Sequence, residues 1–335
     1  MVIEVTETFA LGMFNSAGSP PFPVLVLGEQ GLAIAPLHAM FRTVKGRSVL
    51  SGTHSVQGLL DDWARNLAGL RELADFARSK RLADSSLPFV SRVANLNPAV
   101  LLRPGTIYCA AANYKAHVAE MRNSGFTGGN ATAESGPLRP YHFLKAPGCS
   151  VGADDPIELP SDDARIDWEV ELAAVIGRTA RRVKAADAPG YVAGYAICND
   201  VSCRAATWRA DRPNVRSDWL AGKSYDTFFP LGPHFVPAPF VADYKALRLQ
   251  LSVNGDTRQD GLAGDMIFDI EQQIEYLTAM LTLQPGDVIA TGTPAGVGQG
   301  SNQYLKPGDV VEATITGLGR QRNTVRTAAS AEIEA

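Results

Sequence analysis

Short β-rich runs separated by turn dipeptides fill the second half of the chain, and they restrict its fold more than any other feature. The turns are Asn254-Gly255, Pro285-Gly286 and Pro307-Gly308. Asn-Gly between two such runs favours a hairpin, and Pro-Gly favours a type II turn. One helix is indicated, with Asp269 as its N-cap and Gln272 three residues later. We therefore expect a mostly β roll or barrel with few helices.

A hairpin and a helix are indicated earlier in the chain. Residues 24–34 alternate β-rich runs with a glycine-containing turn. Apolar residues then recur at helical spacing, namely Leu59, Trp63, Leu67, Leu70, Ala74 and Ala77. A chain of 335 residues exceeds one ordinary core. We expect a small N-terminal α+β cap or oligomerisation domain at residues 1–104 and a β-rich domain at residues 105–335, which makes the fold class α+β, mostly β.

Charge and composition exclude several classes of partner. The net charge is −4, and the chain contains no run of basic residues. We therefore expect neither a nucleic-acid nor a membrane partner. The chain start lacks the basic and long apolar segments of a signal peptide, and no stretch is apolar enough to span a bilayer. The four cysteines form no C-x-x-C pair, which favours buried thiols in a cytoplasmic protein.

Carboxylates recur at alternate positions between residues 166 and 177. Side chains on a strand point to opposite faces with a period of two, so Asp167, Glu169 and Glu171 would share one face. Clustered carboxylates repel each other unless solvent or a cation separates them. This stretch alone is compatible with a solvated surface or with a site for a divalent ion such as Mg²⁺ or Mn²⁺.

Four further stretches carry candidate functional groups, each with an ordinary structural alternative. Asp200, with Arg204 four residues later, either caps a strand end or faces a site. Lys223 lies between Gly and aromatic residues and is either a surface lysine or a cation facing a pocket. His117 and Glu120 would lie on one helical face, as a surface pair or as a general base and its partner. Thr293 lies in a Gly- and Pro-rich loop that either binds a carboxylate or only connects two elements.

Taken together and in this order, these stretches resemble the fumarylacetoacetate hydrolase superfamily over roughly residues 106–319. The matching pieces are N-Y-x-x-H-x-x-E from Asn113, D-W-E-V-E-L-A-A-V-I-G from Asp167, G-Y-A-I-C-N-D-V-S-C-R from Gly194, K-S-Y-D-T-F-F-P-L-G-P from Lys223, Q-D-G-L-A-G-D-M-I-F from Gln259 and T-G-T-P-A-G-V-G from Thr291. The resemblance implies that the second domain is a mixed β-sandwich roll and that the protein is a homodimer.

The resemblance also implies roles for individual residues. Glu169, Glu171 and Asp200 match the metal ligands of the family, with Mg²⁺ or Mn²⁺ as the ion and Ca²⁺ as an alternative. The residues that match its catalytic groups are His117, Glu120 and Lys223, and the first two would lie on a lid that folds over the substrate. The polar loop at residues 125–140 that follows is expected to be a lid or an insertion. The residues that match its substrate contacts are Tyr114, Arg204 and Thr293.

This chain departs from the family pattern beside Arg204. Ala205 and Thr207 stand where family members often have an acid and a glutamine that faces the substrate. We therefore expect part of the substrate pocket to be remodelled.

The implied activity is metal-dependent hydrolysis of a C–C bond in a small 2,4-dioxo acid, of the acylpyruvate, fumarylpyruvate or fumarylacetoacetate type, in the catabolism of aromatic compounds. The same residues would also serve a decarboxylase, an isomerase or a hydratase that forms an enolate from a related 2-oxo acid. A binding module without catalysis is a further alternative, against which the presence of His117, Glu120 and Lys223 argues.

Overall fold

The computed structural model describes residues 8–16, 18–123, 138–161, 164–212, 214–215 and 217–328, and an antiparallel sheet lies at its N-terminal end. The strands are β1 (Ala10–Asn15), β2 (Phe22–Leu27), β3 (Gln30–Ala33), β4 (Val90–Arg92) and β5 (Asn97–Pro98). They lie in the order β4-β3-β2-β1-β5. The pairing of β2 with β3 confirms the hairpin predicted at residues 24–34.

Helices pack on this sheet in an arrangement that differs from the prediction. They are α1 (Ile34–Lys45), α2 (Val56–Leu60) and α3 (Trp63–Ser79). The prediction lacks α1, although the buried side chains of this helix recur at helical spacing. The predicted helix is confirmed from Trp63 to Ala77 as α3, but its extension to Leu59 was wrong, because Asp62 has non-helical backbone angles (φ −135°, ψ 56°) and separates α2 from α3. α1 contacts the hairpin directly, and α3 packs on α1 through Phe41 and Phe76, whose ring centroids are 5.4 Å apart.

The rest of the chain is rich in strands. In chain order they are β6 (Ile107–Ala110), β7 (His142–Lys145), β8 (Ser150–Val151), β9 (Ile157–Leu159), β10 (Ile166–Asp167), β11 (Val170–Ile176), β12 (Val192–Asn199), β13 (Ser202–Cys203), β14 (Phe229–Pro230), β15 (Val236–Pro237), β16 (Arg248–Val253), β17 (Asp256–Leu262), β18 (Val288–Ala290), β19 (Val310–Ile315) and β20 (Gly319–Thr327). The helices are α4 (Lys115–Asn123), α5 (Arg204–Thr207), α6 (Trp219–Lys223), α7 (Ile270–Met280) and α8 (Gly298–Ser301). The predicted α+β fold with a β-rich second part is confirmed.

A mixed sheet in the order β15-β12-β11-β18-β6-β7 forms the centre of this part. β18 and β6 are parallel, and the other neighbouring strands are antiparallel. Every residue of β11 and β12 is buried, because both faces of the sheet are covered. Asp269 and Gln272 form the predicted capping box of α7, with Gln272 N donating to Asp269 Oδ1 at 2.9 Å.

A second sheet, in the order β17-β16-β19-β20-β9, packs beside the first. Buried residues alternate with exposed or half-buried ones along β16 and β19, as in a strand with one covered face. Asn254 and Gly255 join β16 to β17 with positive φ angles of 53° and 86°, which confirms the predicted hairpin.

The two parts of the chain share one apolar core. Leu11 in β1 exchanges two backbone hydrogen bonds of 2.8 Å with Phe235, and the ring of Phe235 lies 5.3 Å from that of Trp63. The N-terminal sheet is therefore joined to the central sheet by backbone and side-chain contacts. In the described part of the chain, no helix has the length and apolarity that a membrane span requires.

His38 in α1 should make the stability of the protein depend on pH. Its Nε2 accepts hydrogen bonds from Val49 N at 3.2 Å and Leu50 N at 3.4 Å, so the ring is held neutral. Burial, and to a lesser degree the charge of Arg42, lower the pKa of His38. His38 therefore binds a proton at a higher pH in the unfolded chain than in the folded protein. The free energy of unfolding should fall as the pH drops below about 6.5.

Urea unfolding of the wild type and His38→Gln between pH 7.5 and 5 measures this term. Protonation of His38 should lower the free energy of unfolding of the wild type by up to about 1.4 kcal/mol per pH unit, and His38→Gln should lack this contribution. His54→Gln, at an exposed position, serves as the control and should keep the wild-type slope. Equal slopes in wild type and His38→Gln would contradict the prediction.

Candidate metal centre and acid–base site

Three buried carboxylates meet where β11 begins and β12 ends. Glu169 precedes β11, Glu171 lies within it and Asp200 follows β12. Because the two strands are antiparallel, with Val170 opposite Asn199, the start of one lies beside the end of the other. Carboxylate oxygens of the three residues lie within 4.8 Å of one another, and the residues are only 5%, 1% and 1% exposed. The structure thus brings together the three residues that the sequence nominated as metal ligands.

The strand predicted over residues 166–177 is not continuous. It is interrupted at Trp168 and Glu169, between β10 and β11. Asp167 shares the predicted face of the two glutamates, but its carboxylate accepts hydrogen bonds from Gly298 N at 2.6 Å and Gln299 N at 2.9 Å. Asp167 therefore anchors the start of α8 and does not join the metal ligands.

The electrostatics of the three carboxylates favour a bound cation. Burial, and then the charges of Asp200 and Glu169, raise the pKa of Glu171 well above its usual value. Asp200 Oδ1 forms an ion pair with Lys145 Nζ at 2.5 Å, and no other described residue donates a hydrogen bond to this oxygen. Carboxylate oxygens suit hard divalent ions such as Mg²⁺, Mn²⁺ and Ca²⁺. The residues present therefore fit a divalent cation.

Two predicted cationic residues pair with these carboxylates. Lys223 Nζ, at the end of α6, donates to Glu169 Oε2 at 2.8 Å and to Asp200 Oδ2 at 2.6 Å. Arg204 Nε donates to Asp167 Oδ2 at 2.8 Å, and the same guanidinium pairs with Glu169. Burial alone would raise the pKa of Glu169, but the charges of Lys223 and Arg204 lower it below its usual value. Glu169 is consequently held in its ionised form.

A third cation, Lys145, was missed by the sequence analysis. It ends β7, is 1% exposed, and donates from Nζ to Val201 O at 2.9 Å and Phe228 O at 2.6 Å. The same ammonium forms the ion pair with Asp200. A lysine at the end of a β-rich run, directly before Ala-Pro-Gly, was the available signal, although such a residue is more often exposed.

The loop after β18 closes another side of the site. Gly292 has a positive φ of 101°, which turns its N–H toward Glu171 Oε2 at a distance of 2.8 Å. Thr293 is buried beside it, and its hydroxyl donates to Val170 O at 2.9 Å. The hydroxyl hydrogen of Thr293 is therefore engaged with the protein backbone in this conformation.

His117 and Glu120 lie on α4, and His117 is near Glu169. His117 Nδ1 is 3.4 Å from Glu120 Oε2, and both residues lie in the first turns of the helix. Gly296 N donates to the two oxygens of Glu120 at 3.0 and 3.1 Å. This contact fixes the helix to the Gly-rich loop, with His117 buried. Of the predicted loop at residues 125–140, residues 125–137 lie outside the described part of the chain.

Tyr114, directly before α4, leaves a hydroxyl without a partner. The residue is 1% exposed, and its Oη forms no hydrogen bond with the described residues. Burial and the charges of Glu171 and Asp265 raise the pKa of Tyr114, so the hydroxyl stays protonated. A buried hydroxyl without a partner is costly, which makes it a ready donor for a ligand.

Comparison with known proteins identifies the family. The profile described as Fumarylacetoacetate (FAA) hydrolase C-terminal matches residues 106–326. The chain belongs to the fumarylacetoacetate hydrolase family. It is 38% identical over 242 residues to the mitochondrial oxaloacetate tautomerase FAHD2A of Bos taurus, with 72% of each chain covered.

Solved structures of other family members span the described fold. The chain resembles maleylpyruvate hydrolase from Sphingobium sp. SYK-6, in complex with manganese (II) ion and pyruvate, at 27% identity and a TM-score of 0.70, covering 96% of this chain and 100% of that one. It also resembles 2-hydroxyhepta-2,4-diene-1,7-dioate isomerase from Mycobacterium marinum, at 27% identity and a TM-score of 0.66, with the same coverage. The superfamily resemblance is therefore confirmed, and the protein is a family enzyme whose relatives differ in their reactions.

The departure from the family pattern at Thr207 has a structural counterpart. Its hydroxyl donates to Cys203 O at 2.9 Å. A Cβ added at Gly222 would lie 2.1 Å from that hydroxyl, so α5 and α6 pack closely at this point. Thr207 thus joins two helices and offers no free donor to a substrate.

Glu171→Gln should remove metal binding without destabilising the metal-free protein. The raised pKa of Glu171 indicates that its charge is unfavourable there in the absence of a cation. Thermal unfolding in EDTA should give an equal or higher midpoint for the variant. Added Mn²⁺ at 100 times its Kd should stabilise the wild type by about 2.7 kcal/mol and the variant not at all. Glu275→Gln, which loses an exposed ion pair with Lys184, is the control. Wild-type Mn²⁺ stabilisation of Glu171→Gln would rule out its role as a ligand.

Gly300→Ala should break the contact between α4 and the Gly-rich loop. A Cβ at Gly300 would lie 2.6 Å from Cγ of Glu120, so Glu120 would have to leave Gly296 N. Because Glu120 also orients His117, turnover should fall by on the order of 10²-fold. Hydrogen exchange of α4 should increase. Gly190→Ala, where an added Cβ meets nothing within 4 Å, should change neither quantity. Unchanged exchange in Gly300→Ala would argue against this docking contact.

Proposed function

We propose that the protein hydrolyses a C–C bond in a 2,4-dioxo acid of the acylpyruvate type. The observation that carries this proposal is that His117, which is buried and paired with Glu120, lies near Glu169 of the carboxylate cluster. Such a site combines a metal position with a general base, and that combination suits attack of water on a carbonyl group. The similarity to maleylpyruvate hydrolase, across nearly the whole chain, supports the same reaction class.

Different side chains of the site would carry out different steps of the hydrolysis. A divalent ion held by Glu169, Glu171 and Asp200 would supply a Lewis acid that polarises the 2-oxo group. His117 would donate its Nδ1–H to Glu120, which leaves Nε2 to accept a proton from water. The resulting hydroxide adds to the C4 carbonyl, the C3–C4 bond breaks, and its electron pair passes to C3. Protonation of C3 then yields pyruvate and a carboxylic acid.

Other buried groups would bind and orient the substrate. The unpaired hydroxyl of Tyr114 can donate to an oxygen of the 2-oxo acid. The ammonium of Lys223 and the guanidinium of Arg204 place positive charge beside the carboxylates, where the oxyanion formed at C4 can be stabilised. Thr293 would form the wall of the site, since its hydroxyl hydrogen is engaged with Val170 O.

Keto–enol tautomerisation of a 2-oxo dicarboxylate is a second candidate. It is favoured by the 38% identity to oxaloacetate tautomerase FAHD2A. The engagement of the Thr207 hydroxyl with Cys203 O agrees with it, because position 207 then offers no side-chain donor for the second carbonyl of a dioxo acid. Tautomerisation would use His117 for proton transfer at C3 without any cleavage.

His117→Ala separates these reactions. With acetylpyruvate and Mn²⁺, the wild type should release pyruvate, and the variant should be slower by roughly 10²–10⁴-fold, the usual contribution of a positioned acid–base group. Mn²⁺ affinity should be unchanged, since His117 is not a ligand. His54→Ala, at an exposed position, is the control.

Two results would decide against hydrolysis. Full pyruvate release by His117→Ala would refute the assigned base. Loss of enol absorbance with oxaloacetate, without any cleavage of acetylpyruvate by the wild type, would establish the second candidate in its place.

A further inference from the structure

At the start of β11, beside Glu169 and Glu171, the backbone forms hydrogen bonds with side chains in place of the neighbouring strand β18. β11 pairs with β18 from Ala173 to Val175. Beyond that point the loop after β18 diverges, and Gly292, with its positive φ, turns away from the regular ladder. The peptide groups on either side of Val170, between Glu169 and Glu171, are instead bonded by the side chains of Gln259 and Thr293.

Gln259 provides the central side chain of this hydrogen-bond arrangement. It lies in β17 of the second sheet and is fully buried. Its Oε1 accepts from Val170 N at 2.9 Å, and its Nε2 donates to Thr293 Oγ1 at 2.7 Å and Pro294 O at 2.8 Å. Thr293 Oγ1 donates in turn to Val170 O at 2.9 Å. A closed ring of hydrogen bonds therefore holds both peptide groups of the residue between the two glutamates.

An amide is the side chain that this position requires. It provides one acceptor and two donors in a plane, and all of them are used by Val170, Thr293 and Pro294. A carboxylate would face Pro294 O with a second acceptor and would add a negative charge near three buried carboxylates. An apolar side chain would leave Val170 N–H without a partner in the core.

We propose that Gln259 is a positioning residue of the metal centre. By fixing the backbone of Val170, it sets the separation and orientation of the carboxylates of Glu169 and Glu171. The proposal rests on the proposed function in one respect, namely that these carboxylates bind a divalent ion. It explains why a glutamine from the second sheet reaches across to the edge of the central sheet. Groups that orient ligands in this way control metal affinity without touching the ion.

A purely structural role is the alternative, and the chain offers a matched control. Gln321 in β20 is also fully buried, and its Nε2 donates to Ile197 O at 2.9 Å and to Pro230 O and Gly232 O at 3.1 Å. It makes three hydrogen bonds, as many as the whole amide of Gln259, but none with Val170 between the two glutamates. Loss of either amide should lower stability, whereas only loss of Gln259 should weaken metal binding.

Mn²⁺ titration followed by electron paramagnetic resonance and by calorimetry tests the proposal, with Mn²⁺ alone and at a temperature where all variants are folded. Gln259→Met and Gln321→Met should both unfold at lower temperature than the wild type. The Mn²⁺ affinity should fall roughly 10–100-fold in Gln259→Met. It should stay at the wild-type value in Gln321→Met. The bound-Mn²⁺ spectrum should also change only in Gln259→Met.

The outcomes distinguish this proposal from the proposed function. A wild type that binds no Mn²⁺ would overturn the metal centre itself and both proposals with it. Normal Mn²⁺ binding by the wild type together with equal affinity in Gln259→Met would overturn the positioning role alone. If Gln259→Met does not fold, Gln259→Asn takes its place, because it keeps an uncharged amide that is one methylene too short to reach both Val170 N and Thr293 Oγ1. The same loss of affinity is then expected, and its absence would overturn the proposal.

Discussion

The burial of three neighbouring carboxylates is the constraint on which the rest of the site depends. Glu169, Glu171 and Asp200 are removed from water within one small volume, and their mutual repulsion is not screened by solvent. The fold offsets this with cations from separate elements, Lys145 at the end of β7 and Lys223 at the end of α6, and with Gly292 N–H. The raised pKa of Glu171 indicates that this offset is incomplete, which leaves a place for a divalent ion.

The loop after β18 donates hydrogen bonds both to the carboxylate cluster and to α4. Gly292 N donates to Glu171, and four residues later Gly296 N donates to Glu120. Asp167 in β10 holds the next turn of this segment through Gly298 N and also binds Arg204. One short Gly-rich segment therefore connects the carboxylate cluster to the His117–Glu120 pair. A change in the position of this segment would reach both groups, because the core around it is closely packed.

Several residues that build the site could not be recognised from the sequence. Lys145 has no neighbouring polar residue that marks it, and its partners follow it by 55 positions or more in the chain. Asn113 stands in a recognised motif, but only the fold reveals that its amide joins Phe268 and the Thr291 carbonyl at 2.7 Å and so anchors α4. Gln259 likewise belongs to a recognised motif, and its contact with Val170 spans two sheets.

The sequence by itself determined the local features and the three carboxylates that the structure brings together. The capping box at Asp269 and the Asn254-Gly255 hairpin depend on residues close in the chain, and both are present. The order of motifs also determined the family, since the profile matches residues 106–326.

Only the tertiary structure decided which polar groups form hydrogen bonds and ion pairs with one another inside the protein. The break in the predicted strand at Trp168 and Glu169 and the use of Asp167 as an anchor involve partners distant in sequence. Each buried donor or acceptor must find a partner, and the partner is chosen by the packing of separate sheets and helices. Local periodicity carries no information about that choice.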